Sequence, residues 1–358
     1  MKYFLTLIQL WVGFLSICAS YPKANIWIIP SVESPQVYRN YAQTSKVHLE
    51  MARGEVEHIQ LVFPSKVNEE YRFTFDRYLK GIQISARELK KMNGYYDALV
   101  PFKNQLKCTD TLTAVWITVQ CPSRVPVGKY HQTIKIEGSK HFTIQLDYNV
   151  HHTTIPLKSS IPITVGVENR CMTEGLNDKE ADKERQRWVD FVLSYRMTPV
   201  FGTQITPERW QYEHSFSPWA WNDKRSIRLL NDRRYSCYML PFFTLSENEL
   251  ASLLCNIQKK GKLKESLFYI WDEPAYMEDY EQIKRKVNII RKYASDARIL
   301  TTFFCGPRNG PRKGDLYAVF DYLKHHIHVA TISLAPCKGN EEEVQNIRYK
   351  VHDGIDWW

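Results

Sequence analysis

The sequence predicts a multidomain β plus α/β protein, an N-terminal antiparallel β-sandwich followed by an incomplete (β/α)8 TIM-like barrel. Three observations lead there. Short segments of period two fill the chain up to about Pro156. Strand-like and helix-like segments alternate after it. The second part spans only about 200 residues, against the ~250 of a complete barrel.

The period-two segments include IWIIP, KVHLEM, EHIQLVF, YRFTF, GIQIS, TAVWITVQ, YHQTIKIEG and HFTIQLDYNV. They are rich in Val, Ile, Thr and aromatics and are parted by turn-forming residues, the pattern of antiparallel strands. PVGKY (126–130) supplies the proline and glycine that one reversal needs. No convergent acids or histidines occur in this part, so residues 21–156 are read as a supporting or glycan-facing domain.

From Pro162 the period changes. PITVGVE (162–168), TPVFGTQ (198–204), SCYMLPFF (236–243), SLFYIWDEP (266–274), RILTTFFCG (298–306) and HVATISL (328–334) are read as strands. Helices are expected at KERQRWVDFVLSY (183–195), SENELASLLCNIQKKG (246–261), MEDYEQIKRKVNIIRKYAS (277–295), LYAVFDYLKHH (316–326) and NEEEVQNIRYKVHDG (340–354). Ser246 followed by Glu249 is a capping-box signature. Alternation of this kind implies βαβ units and a parallel sheet. Residues 157–358 are therefore expected to form a barrel cut short near a seventh strand that begins at Ile355.

The first twenty residues, MKYFLTLIQLWVGFLSICAS, read as a cleaved secretory signal: a basic start, an apolar stretch too short for a comfortable span, and small residues at its end. The mature chain is then expected to be secreted, or held in the secretory-pathway lumen or a lysosome-like compartment, with no stable membrane span. Seven cysteines remain after it, scattered and without metal-ligand spacing. Cys108 and Cys121 flank one apolar strand, where a bridge and two separate buried thiols are equally open readings. With 44% hydrophobic and 24% charged residues the chain is an ordinary globular one. The net charge of +9 is spread along its length, giving no basic stripe for nucleic acid. His325, His326 and His328 straddle a helix end and a strand, so no metal is predicted. No cofactor is called for, and the oligomeric state is open.

In a (β/α) barrel, chemistry sits at the C-terminal ends of the strands. Asp272 and Glu273 occupy such an end, in FYIWDEP. They could cap the next helix, but Ala275 and Tyr276 intervene before it, and Glu278 and Asp279 already supply first-turn acids. Most glycosidases hold two carboxyl groups roughly 5 to 9.5 Å apart. Adjacent acids suit a different scheme, in which the 2-acetamido oxygen of the sugar attacks its own anomeric carbon. One acid then protonates the leaving oxygen while its neighbour orients the acetamido N–H.

YIWDEP resembles the Asp-Glu-Pro signature of glycoside hydrolase family 123, the retaining β-N-acetylgalactosaminidases. ARGEVEHIQLVF (52–63) is similar to the Arg-Gly-Glu segment of that family's N-terminal sandwich, and PVGKYHQTIKI (126–136) to a later strand pair. The resemblance implies Glu273 as general acid/base, Asp272 as the residue that orients and stabilises the acetamido group, and glycans with terminal N-acetylgalactosamine as substrate. It also implies a Trp/Tyr-rich seventh strand, which Trp357 would open.

Further sugar contacts are expected from Glu168, Asn169 and Gln204 at strand ends, from Trp219 and Trp221 in the loop 209–224, and from Trp271 and Tyr276 beside the acids. Glu168 could instead pair with Arg170, and each aromatic could serve packing alone. The competing functional class is a catalytically inactive secreted glycan- or partner-binding protein derived from the same family.

Overall fold

The computed structural model describes residues 25–76, 81–206, 211–303, 307–311, 313–332 and 356–357. The expected signal segment and the expected helix at 340–354 lie outside them. Among the described residues no helix is long and apolar enough to cross a membrane. The structure is built mostly of strands in several sheets, with few helices, and forms two compact units that part between Pro156 and Leu157.

Among the described residues the first unit holds ten strands: β1 (Trp27–Pro30), β2 (Lys46–Arg53), β3 (Val56–Pro64), β4 (Glu70–Phe75), β5 (Gln83–Met92), β6 (Tyr95–Pro101), β7 (Gln105–Lys107), β8 (Leu112–Gln120), β9 (Gly128–Glu137) and β10 (His141–Thr154). One sheet has the order β1-β3-β8-β5-β6 and the other β2-β10-β9-β4-β7. Most pairs are antiparallel, but β2 runs parallel to β10. Alternate residues of both sheets meet in one core: Ile59, Leu61 and Phe63 from β3, Val115, Ile117 and Val119 from β8, and Ile134, Ile136, Ile144 and Leu146 from β9 and β10. The period-two pattern is the imprint of that shared core, because successive strand residues point to opposite faces. Cys108 and Cys121 are buried in it as separate free thiols.

The second unit alternates strands with helices. Its elements are β11 (Thr164–Glu168), α1 (Asn169–Thr173), α2 (Asp178–Ser194), β12 (Thr198–Thr206), β13 (Gln211–Ser215), α3 (Lys224–Leu229), β14 (Tyr238–Met239), α4 (Glu247–Lys259), β15 (Ser266–Trp271), α5 (Met277–Arg291), β16 (Arg298–Phe303), α6 (Leu316–Leu323), β17 (Val329–Ile332) and β18 (Asp356–Trp357). β11 pairs in parallel with β12, and β14 through β18 form a second sheet in sequence order, parallel throughout. β13 is an antiparallel hairpin partner of β12, set in the stretch read above as loop.

Helix caps follow local sequence. α4 starts with the expected capping box of Ser246 and Glu249, and α2 with an equivalent box of Asn177 and Glu180. Apolar strand residues divide between two faces. Val167, Phe201, Phe268, Ile270, Ile299 and Phe303 pack with Leu253, Ile257, Ile283, Val287 and Phe320 of the helices. Val200, Met239, Leu267, Leu300 and Val329 cluster on the opposite face, with Tyr269 packed against them.

Candidate active site at the end of strand β15

Regular alternation along β15 would send Tyr269, Trp271 and Glu273 to one face. The structure breaks it. Tyr269 pairs with Leu300 but Trp271 with Thr301, so Ile270 is an extra residue on the β15 side. Such a bulge reverses the facing of everything that follows it. Trp271 consequently turns to the helix side, where Lys286 Nζ lies 4.4 Å from its ring centroid, and where it packs against the helix-facing core. Asp272 turns to the face that carries Tyr269.

There Asp272 Oδ1 accepts the Tyr269 hydroxyl at 2.5 Å and the Thr302 hydroxyl at 2.7 Å. The Thr302 oxygen in turn accepts the backbone N–H of Glu273 at 3.0 Å. Tyr269 and Thr302 oxygens are 2.9 Å apart, but each hydroxyl has one proton and gives it to Asp272. Both carboxylates are exposed. Asp272 Oδ2 and the whole Glu273 carboxylate have no hydrogen-bond or ion-pair partner among the described residues.

Glu273 has φ +45°, a left-handed backbone that side-chain-bearing residues rarely adopt. The chain turns there and leaves the strand. The acids do not serve as the cap of α5. Asp279 does, its carboxylate accepting the N–H groups of Ala275 and Tyr276 at 2.9 Å each. The loop after β16 docks against this turn: Arg308 N–H donates to Ala275 O at 2.7 Å, and Asn309 Oδ1 accepts the Met277 N–H at 2.9 Å. Gly310 makes that approach feasible, since at its φ of +83° a Cβ would stand 2.8 Å from Met277 Cγ.

A cavity of about 590 Å³ is lined by Tyr269 and Thr302, the two residues that hold Asp272, and by His214 together with aliphatic residues such as Val200, Met239 and Leu300; neither acid is among its lining residues. The His214 ring lies 4.2 Å from that of Tyr269, centroid to centroid. Burial lowers the His214 pKa to about 4, against a weaker opposing pull from Asp272, so the ring is neutral near pH 7. Burial raises the Tyr269 phenol, and the charges of Asp272 and Glu273 add to the shift. Tyr269 is therefore a standing proton donor to Asp272.

Apart from Tyr276, the other expected contact residues lie elsewhere. Glu168, Asn169 and Gln204 line a cavity of about 710 Å³ with Tyr212. Asn169, Trp219 and Trp221 line another of about 340 Å³, where the buried Glu213 carboxylate accepts the N–H groups of Phe242 and Thr244. Trp219 is only 8% exposed and its indole N–H is held by Asp182 at 3.0 Å, so it presents little ring face to a ligand. Tyr276 is 45% exposed beside the acids, with the Arg308 guanidinium 6.0 Å from its ring centroid. Trp357 contributes backbone pairing to β17; its side chain lies outside the described residues. Among the described residues no cluster suited to a metal ion occurs.

Neither a protein-family model nor a curated protein matches this sequence. Among solved structures, the chain is similar to a family 123 glycoside hydrolase from Clostridium perfringens, described in terms of glycolipid glycan hydrolysis, with a TM-score of 0.57 and 12% identity over 93% of this chain and 71% of that one. At that identity the likeness concerns the fold. A Bacteroides uniformis β-glucuronidase aligns over 93% of this chain and 39% of its own at 9% identity, but its TM-score of 0.31 carries no weight.

Proposed function

We propose that the protein is a secreted glycoside hydrolase, a retaining β-N-acetylgalactosaminidase in which the 2-acetamido group of the substrate acts as nucleophile. On this reading the two units are a β-sandwich and a (β/α) barrel, and the acids stand at the barrel's functional rim. Export rests on the character of the first twenty residues. The sugar preference rests on the likeness of YIWDEP to family 123, together with the similar fold.

The observation that favours the chemistry is the unequal treatment of two adjacent carboxylates. Asp272 is clamped through one oxygen by two hydroxyls, whereas the Glu273 carboxylate is exposed and has no partner among the described residues. A clamped carboxylate with one vacant oxygen suits a fixed N–H acceptor. An unencumbered one suits proton delivery and retrieval.

In the first step the acetamido oxygen bonds to the anomeric carbon as the glycosidic C–O bond breaks. The departing oxygen takes that bonding pair and the proton of Glu273. Positive charge develops on the acetamido nitrogen, and its N–H is held by Asp272 Oδ2. Water then attacks the anomeric carbon from the face the leaving group vacated, giving its proton to Glu273, while the bond to the acetamido oxygen breaks with its electron pair returning to the acetamido group. Two inversions leave the anomeric configuration retained.

The test is hydrolysis of a chromogenic β-N-acetylgalactosaminide by the mature protein and by Glu273→Gln. Turnover is expected from the first only; equal rates dismiss Glu273 as the acid. Sugar binding without turnover would instead select a non-catalytic glycan-binding protein.

A further inference from the structure

We infer that Tyr269 and Thr302 are positioning residues that fix the two carboxylates relative to each other, with Thr302 as the shared anchor. This rests on the reaction proposed above and assigns roles within the same site.

The geometry is specific. Thr302 sits on the neighbouring strand β16, yet its single hydroxyl engages both acids at once. It donates to Asp272 Oδ1 at 2.7 Å and accepts from the Glu273 amide at 3.0 Å. One oxygen thus ties the Asp272 side chain and the Glu273 backbone to β16. Tyr269 closes the clamp from β15 itself, reaching Asp272 at 2.5 Å because the bulge at Ile270 puts the two on one face.

Both donors land on Oδ1. That leaves Oδ2 with a defined direction, whereas an unclamped aspartate rotates about χ2 and presents either oxygen. The Glu273 amide bond has a second effect. The turn at φ +45° aims the general acid, and Thr302 holds the amide that begins it. The Tyr269 ring is supported in turn by His214 at 4.2 Å, beside a cavity of about 590 Å³ into which an unsupported ring could move.

The expected consequence is a loss in the transition state more than in ground-state binding, because the vacant Oδ2 matters most when charge develops on the acetamido nitrogen. Thr302→Val keeps the shape of the side chain and removes the hydroxyl; Thr302→Ser keeps the hydroxyl. Tyr269→Phe removes only the phenolic oxygen.

The experiment measures kcat and KM on the chromogenic β-N-acetylgalactosaminide, and inhibition by a thiazoline mimic of the cyclised intermediate. Wild type and Glu273→Gln run beside the three variants. Thr302→Val and Tyr269→Phe are expected to lower kcat by about ten- to a hundredfold, the range for a misplaced catalytic group, with little change in KM. The thiazoline should weaken in parallel, and Thr302→Ser should restore most of the rate. A merely structural threonine would show no such division between kcat and KM and no rescue by serine.

Wild-type kcat in both Thr302→Val and Tyr269→Phe, while Glu273→Gln is dead, overturns the positioning roles and leaves the hydrolase standing. Absence of turnover in wild type overturns both. Should Thr302→Val fail to fold, Tyr269→Phe decides.

Discussion

Tyr269 on β15 and Asp272, the first residue past its end, stand three positions apart and still meet side chain to side chain, the phenol donating to Asp272 Oδ1 across 2.5 Å. Strand alternation forbids that pairing, since residues separated by an odd number point to opposite faces. The bulge at Ile270 permits it. One inserted residue moves Asp272 onto the face of Tyr269 and Thr302 and sends Trp271 away to pack beside Lys286.

The backbone at Glu273 gives a prediction that separates stability from function. A non-glycine residue at φ +45° is strained by about 1 kcal/mol relative to glycine. Glu273→Gly is expected to unfold at a temperature equal to or above that of Glu273→Gln, while both lack hydrolytic activity. Thermal denaturation of the two variants beside wild type checks this. A glycine variant clearly less stable than the glutamine variant would show that the side chain, not the backbone turn, sets the local energetics.

How much of this site was legible beforehand depended on distance along the chain. The Ser246 and Glu249 capping box could be read because its partners are three residues apart and their geometry is dictated by the helix start. That the acids do not cap α5 could be read, because Glu278 and Asp279 already stand in its first turn, and Asp279 is the residue that caps it. The bulge could not be read: FYIW is apolar throughout, and a fully buried strand carries no alternation to reveal an extra residue. Thr302 and His214 were equally hidden: Thr302 meets Asp272 30 residues away through the pairing of β16 with β15, and His214 meets Tyr269 from a different sheet. QYEHS, the segment of β13, has too few β-branched residues to announce a strand, and is held by its pairing with β12.

His214 predicts a pH dependence of stability. Its pKa is about 4 in the folded protein against 6.5 unperturbed. The unfolded state therefore binds more protons between those values, and stability rises with pH across that window. Above about pH 6.5 the contribution is fully present; it is lost as pH falls through 6.5 toward 4. Its upper bound is about 3 kcal/mol. Urea denaturation at pH 7 and pH 5 should show a loss for wild type, and His214→Phe, which keeps a ring against Tyr269, should show a smaller one. An equal loss in both proteins would assign the acid sensitivity to other groups.

The last prediction concerns the segment that follows the acids. Asp279 Oδ2 accepts from both Ala275 and Tyr276, so one carboxylate caps α5 and also pins the exit of the Glu273 turn. Removing such a cap costs about 1 kcal/mol. Asp279→Ala is expected to lower the free energy of unfolding by that amount, seen as a lower midpoint, and Asp279→Asn, which retains an acceptor oxygen, to lose less. Because the turn that aims Glu273 is released at its far end, turnover on the β-N-acetylgalactosaminide should fall further in the alanine variant than stability alone explains, when assayed well below the midpoint. Arg308 N–H still holds Ala275 O from the neighbouring loop, so the fall should be partial, smaller than that of Glu273→Gln. Full activity in a destabilised Asp279→Ala would show that the turn is fixed at Thr302 alone, by its bond to the Glu273 amide.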